Sequence, residues 1–344
     1  MLKVPAVKKS DQMDGFLPFV HSAFSDEIFI NTLEDRRGRG RNDYTIELLW
    51  KALLSGVAGQ VSSVEQMRRK MKEQPDLFTK IPSAFSFSRF FTFLCGFSTD
   101  IEALFFRKAH DLAPEFGCVI AVSQFDQIHF LWESESGLPL CFQMALPHET
   151  NTQVAEKLID RLRSLSPVFS SRIKYLLGSS SYEGLIKTAW DRYKMRAIIP
   201  LSSSQISPLH PHRDALYDEQ GMVYCQAAGG MRAMVFAGFE EKRNALKYRC
   251  MARHYGTECK KMATCPLRSG LRIPISLDER IFTPLPRTSY RWGQIYSLYR
   301  SQESVIAEVR SHLQLANNDM KKILFCRVAS VLLLARLLYS RIKG

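Results

Sequence analysis

The apolar periodicity of this chain changes at Gly117, and that change limits the folds open to it. From residue 44 to residue 113 the apolar residues recur at helical spacing. Ile46, Leu49, Trp50, Leu53, Leu54 and Val57 form one stripe, and Phe90, Phe93 and Leu94 form another. Ser62-Ser-Val-Glu65 supplies a helix start with an acid in its first turn, and Pro75 supplies a stop. Beyond Gly117 the pattern breaks into short apolar runs of strand length at residues 118–122, 128–133 and 138–144, with a Ser134-Glu-Ser-Gly137 turn between the last two. A helix over 154–165, a strand over 172–177, a helix over 182–193 and a strand over 195–200 complete the order βββαβαβ. That order describes a mixed sheet with helices packed on it.

The remaining segments read differently. Residues 1–42 are expected to be a flexible segment, with a turn-like basic run over 36–41. Residues 202–290 read as loop-rich, with short strands at 222–225 and 233–238 and scattered cysteines. From Trp292 the pattern is helical to the end, interrupted near 316–319. The expected organisation is therefore a helical region (43–116), the first part of a sheet domain (117–201), a Cys-containing insertion (202–290) and C-terminal helices that complete the domain (291–344). The fold class is α+β.

Charge is unevenly placed. The chain of 344 residues has 47 Lys and Arg against 34 Asp and Glu, a net charge of +13. Residues 241–344 contain 20 of those cations and 7 of the acids, while residues 1–240 contain 27 of each. A concentrated excess suggests a surface that meets phosphate, although such surfaces also meet membranes and acidic proteins. The N-terminus lacks the apolar core and small-residue cleavage site of a secretory signal, so a cytoplasmic protein with reduced thiols is expected. The most apolar stretch, 323–338, follows Lys321 and Lys322 and is interrupted by Arg327 and Arg336. A membrane span needs about 20 apolar residues, so this stretch reads as a buried helix and no membrane is expected.

Several segments carry a family likeness. Lys247-Tyr-Arg-Cys250 is followed by Arg253-His-Tyr-Gly256 and Cys259, then by Arg272-Ile-Pro-Ile275 and Asp278. Arg280-Ile-Phe-Thr-Pro-Leu-Pro-Arg287, Ser289-Tyr-Arg-Trp292 and Tyr296 continue it. With these residues the chain resembles the DDE transposases of bacterial insertion sequences, mobile elements that move by DNA transposition and recombination. The resemblance implies a helical DNA-binding region over 43–116, an RNase H-like catalytic domain, and double-stranded DNA at element ends as partner, with a homodimer possible. It also implies Mg²⁺ held by three carboxylates. The family signature Tyr-x2-Arg-x3-Glu-x6-Lys corresponds here to Tyr296, Tyr299, Glu303 and Arg310, so that the tyrosine and glutamate fit while the other two positions differ.

Two further acids are replaced. Ser179 in Leu176-Leu-Gly-Ser-Ser-Ser-Tyr182 stands where the family has its second aspartate, and Ser123 stands where it has the first. Asp126 is the nearby substitute considered for the first position, and Glu183 for the second. Two-metal phosphoryl transfer needs anionic oxygen ligands, and serine hydroxyls cannot neutralise two divalent cations. The expected function is a transposase-like DNA-binding protein with impaired catalysis. The alternative is a non-enzymatic DNA-binding or scaffolding protein of the same descent. Arg287, Arg291, Arg300, Arg310, Lys321 and Lys322 are the expected phosphate contacts.

Cys225, Cys250, Cys259 and Cys265 lie within 41 residues, with 24, 8 and 5 residues between successive members. That density suits a tetrahedral Zn²⁺, against the alternative of buried free thiols, and His254 could replace one of the four. A zinc-dependent hydrolase would require an open site with His or carboxylate ligands, which this cluster does not offer.

Overall fold

The computed structural model describes residues 13–38, 43–202, 208–227 and 229–343. The chain begins with the helices α1 (Met13–Phe24), α2 (Glu27–Arg36), α3 (Ile46–Ala58), α4 (Val64–Lys72), α5 (Ala84–Gly96) and α6 (Ser98–Ala109). A meander follows, β1 (Val119–Phe125), β2 (Ile128–Glu133) and β3 (Leu138–Met144), then α7 (Asn151–Leu165) and the single turn α8 (Pro167–Ser170). Next come β4 (Tyr175–Leu177), α9 (Leu185–Asp191) and β5 (Arg196–Ile198). The strands β6 (His210–His212), β7 (Ala215–Tyr217), β8 (Val223–Ala227), β9 (Gly230–Ala233), β10 (Val235–Glu240) and β11 (Ala245–Arg249) precede α10 (Met251–Tyr255) and β12 (Leu271–Pro274). The chain closes with α11 (Tyr290–Tyr296), α12 (Gln302–Ser311) and α13 (Asp319–Lys343). The protein is thus a mixed α+β structure.

It divides into two compact units, one of residues 1–172 with 301–344 and the other of residues 173–300. These limits differ from the boundaries read from the sequence at residues 42, 116, 201 and 290. The reason is α13. Its side chains from Leu324 to Ala335 are all buried, a nearly all-round apolar surface that here lies inside the core. The helix packs against α1, α3, α5, α6, α12 and β3, which joins the chain's end to its beginning. By length and composition it is also the one helix among the described residues that could cross a membrane, but 72% of that apolar window is buried inside the protein.

The N-terminal helices are capped where the sequence provides a hydroxyl or carboxylate. Asp26, Thr45, Ser63 and Ser83 accept backbone N–H groups at the starts of α2, α3, α4 and α5. Met67 and Met71, one turn apart on α4, are buried against α3. Gly56 permits that approach, because a Cβ there would stand 2.4 Å from Met67 Sδ. Residues 13–36 are not the flexible segment expected from sequence; residues 1–12 lie outside the described residues. Leu17, Val20, Phe24, Phe29 and Leu33 are buried. Trp50 Nε1 donates to the Phe24 carbonyl at 2.9 Å, and the rings of Phe29 and Trp50 meet at 5.0 Å. Short apolar helices without a long stripe are legible only through the partner they bury against. Residues 39–41 of the basic run lie outside the described residues.

In the meander, β2 pairs antiparallel with both β1 and β3, and all six of its residues are buried. Helix α7, opened by a Thr150–Gln153 capping box, covers β2 and β3. In the second unit β4 and β5 are parallel, with α9 between them in the chain. The segment read as loop-rich carries more sheet than expected: β6–β7–β8–β9 and β10–β11–β12 are two antiparallel sheets.

Candidate catalytic positions, basic residues and thiols

Ser123 lies on β1, with its residue fully buried. The register sets Ser123 opposite Phe130 and Ala121 opposite Trp132, so these four side chains share one face of the hairpin. Trp132 Nε1 donates to Ser123 Oγ at 3.0 Å. At this position the resemblance calls for a solvent-accessible carboxylate, and the chain instead has an interior hydroxyl engaged by an indole.

Asp126 is not on the strand at all. β1 runs on to Phe125, which pairs with Ile128, and Asp126 is the first of two loop residues. Its φ of 52° is a left-handed conformation that Asp tolerates in such turns. The carboxylate is exposed and lies 3.6 Å from the Arg310 guanidinium. That guanidinium also sits 5.2 Å from the centre of the Phe125 ring. Glu303 is exposed in the first turn of α12, in the same unit as Ser123 and Asp126.

Ser179 belongs to the second unit. It follows β4, and its hydroxyl lies 2.7 Å from that of Ser181. Glu183, the acid considered as a substitute, accepts from the backbone N–H of Ser202 at 3.2 Å and lies 3.5 Å from the Arg280 guanidinium. The buried Tyr182 hydroxyl is pushed above its ordinary value by burial and then by the nearby Tyr299. The donor set implied by the resemblance does not fit Mg²⁺ here. Two of its positions are neutral hydroxyls engaged by neighbours, and Asp126 is a turn residue facing an arginine.

The six expected phosphate contacts divide into groups. Arg287 donates through Nε to the Ile199 carbonyl and through Nη1 to the Ile281 carbonyl, each at 3.1 Å. Burial holds it down at about 10, with Glu183 acting in the opposite direction. Arg287 is therefore a cross-brace between two loops and not a free surface cation. Arg310 faces Asp126, and Lys322 lies 3.1 Å from Asp319. Lys321 is half-buried at the start of α13, and Arg291 and Arg300 are exposed.

The four thiols belong to the second unit and are all free. Cys225 on β8 and Cys250 at the start of α10 are buried, and Cys259 and Cys265 are half-buried. Burial pushes the Cys225 thiol up, and the nearness of Cys250, Cys265 and Cys259 pushes it further. His254 is exposed, with its ring centre 4.7 Å from that of Tyr255. Among the described residues no group of three or more Cys, His, Asp or Glu side chains is arranged to hold a metal ion.

One buried ion pair was only half legible in the sequence. Arg327, inside α13, donates to Glu102 at 2.6 Å and also to the Ser98 hydroxyl, while Arg161 donates to the second oxygen of Glu102. Glu102 and Arg327 are 225 residues apart. An arginine inside an apolar helical run is the visible half of such a pair, and nothing in sequence points to the other half.

Compared with family models, with curated proteins and with solved structures, the chain has no match.

Proposed function

We propose that this chain is a DNA-binding protein of the DDE transposase type whose strand-transfer chemistry is impaired, with residues 118–344 carrying an RNase H-like domain that 202–290 interrupt. A three-stranded meander followed by a helix and a parallel βαβ pair supports that domain reading. So does the position of Glu303 in the first turn of a helix, seven residues beyond Tyr296. DNA binding is supported by the charge excess of the last third of the chain, with Arg291 and Arg300 exposed within it.

The observation that carries the impairment is the Ser123–Trp132 hydrogen bond. Transfer of a phosphoryl group by two metals depends on carboxylates that hold the cations against the attacking and leaving oxygens. A buried neutral hydroxyl supplies no such charge, and Ser179 supplies none either. Loss of the metals removes several kcal/mol of transition-state stabilisation. The alternative, a non-enzymatic DNA-binding or scaffolding protein, rests on the same observation and differs only in whether the site can be restored.

The test is incubation of the purified protein with supercoiled plasmid carrying the flanking element ends, with Mn²⁺, beside the Ser123→Asp/Ser179→Asp variant. Retardation of the DNA without cleavage by the unmodified protein is the expected result. Cleavage gained by the variant supports the impaired transposase, and continued silence favours the scaffold. Cleavage by the unmodified protein that disappears in Glu303→Ala overturns the reading.

A further inference from the structure

We propose that Cys225, Cys250, Cys259 and Cys265 form a structural zinc site that anchors the segment from Arg253 to Pro266. This inference is independent of the DNA reading.

The argument begins with what that segment lacks. Over positions 253–266 every side chain is exposed except Cys259, Met262 and Cys265. A stretch with so little apolar burial does not offset the entropy of ordering its backbone. Its local bonds are few turns: Thr257 N–H to the Ala252 carbonyl at 2.9 Å, Met262 N–H to Cys259 at 2.9 Å, and Thr264 N–H to Lys261 at 3.2 Å. Two side chains tie it to its surroundings. Arg232 donates to the Glu258 carbonyl at 3.0 Å, and Arg253 donates to the Arg268 carbonyl at 3.4 Å.

These ties bring the thiols together. Arg232 on β9 pairs directly with Cys225 on β8, so its grip on Glu258 carries the next residue, Cys259, toward Cys225. Cys250 lies between β11 and α10 as the residue preceding that helix, and the Arg253–Arg268 link draws the turn that follows Cys265 against α10. The half-buried cysteines of the exposed segment are thereby brought to the side of the two buried ones, and Cys250, Cys259 and Cys265 all lie near enough to act on the Cys225 thiol. A zinc ion would close them by rotation about each cysteine's side-chain bond to Zn–S distances of about 2.3 Å.

Charge also agrees. Four thiols that lose their protons to bind one Zn²⁺ leave a site of net charge −2 and release four protons. Arg253, Lys260, Lys261 and Arg268 are all exposed in or beside the segment and offset that charge. With all four positions filled by sulfur there is no open coordination site, so the metal's role is to hold structure and not to catalyse.

The test uses the full chain, reduced and stripped with a chelator, then titrated with Co²⁺. The expected result is about one Co²⁺ per chain, with the thiolate charge-transfer and visible bands of tetrahedral cobalt, and loss of those bands when Zn²⁺ is added. Cys259→Ser, at a half-buried loop position that leaves the sheets intact, should weaken binding about 100-fold or more. Cys95→Ser, outside the cluster, and His254→Ala should leave the bands unchanged. Zinc should also protect the 253–266 segment from limited proteolysis. Weak octahedral cobalt bands, unchanged binding in both Cys259→Ser and Cys265→Ser, or four thiols whose reactivity is indifferent to zinc would each overturn the proposal. Loss of the bands in His254→Ala would replace it with a site in which histidine is a ligand.

Discussion

Trp132 and Ser123 are joined across the β1–β2 hairpin by a buried hydrogen bond of 3.0 Å from the indole N–H to the hydroxyl. Ser123→Ala removes this buried acceptor from the indole N–H. Such a loss costs about 1–3 kcal/mol, so the variant should unfold at lower urea concentration with an unchanged denaturant slope. Ser123→Thr, which keeps the hydroxyl, should lose less. A Ser123→Ala protein as stable as the original would mean that the hydroxyl has no such role.

Glu102 and Arg327 form an ion pair in the core of the first unit. Removing one partner leaves the other charge buried. Arg327→Ala or Glu102→Ala should therefore destabilise by about 3–5 kcal/mol. Replacing both with apolar residues should recover much of that loss, apart from what Arg161 and Ser98 lose with Glu102 and Arg327. Thermal or urea unfolding of the two single variants and the double variant reads the coupling directly. Additive losses in the double variant would count against the pair.

Two groups with large shifts should contribute to the acid limb of stability. Burial, and then the charge of Lys51, lowers His21 from 6.5 to about 4, against a raising contribution from the Lys51 carbonyl. The unfolded chain therefore takes up this proton first. Stability from His21 is full above about pH 6.5 and is lost as the pH falls to about 4, a change of about 3 kcal/mol. Glu308 is lowered to about 2 by His312, whose Nε2 lies 3.4 Å from its carboxylate, and by Arg336, against burial. Its contribution is present above about pH 4.5 and is lost as the pH falls toward 2. Urea midpoints measured from pH 7 to pH 3 should fall in two stages. His21→Gln should flatten the upper stage and Glu308→Gln the lower.

Arginine replacements should separate surface from scaffold. Arg291→Ala and Arg300→Ala should leave unfolding unchanged and weaken duplex DNA binding to all sequences alike. Each lost phosphate contact should lower the slope of log affinity against log salt by about 0.9. Arg287→Ala should instead lower stability, by about 1–3 kcal/mol for each orphaned carbonyl bond, since both of its donors serve backbone oxygens. An unchanged salt slope in Arg291→Ala/Arg300→Ala would place the DNA contact elsewhere.

Local elements were legible in this sequence because their causes lie within a few residues. The strands 128–133 and 138–144 and their turn stand where short apolar runs and a glycine put them, α3 follows its apolar stripe and α4 its hydroxyl cap. The buried character of 323–338 was equally plain, since a mostly apolar stretch that its arginines make too short to span a membrane has to be covered by protein. Tertiary structure alone decided what covers it, and so joined the end of the chain to the N-terminal helices. It turned Asp126 into a hairpin residue by extending β1 three residues further than its apolar run, set Arg287 against two carbonyls, and matched Arg327 to Glu102. The physical reason is the same in each case. Periodicity and capping are short-range properties of consecutive residues, whereas a partner for a buried charge, an indole or a thiol is chosen by packing between residues far apart in the chain.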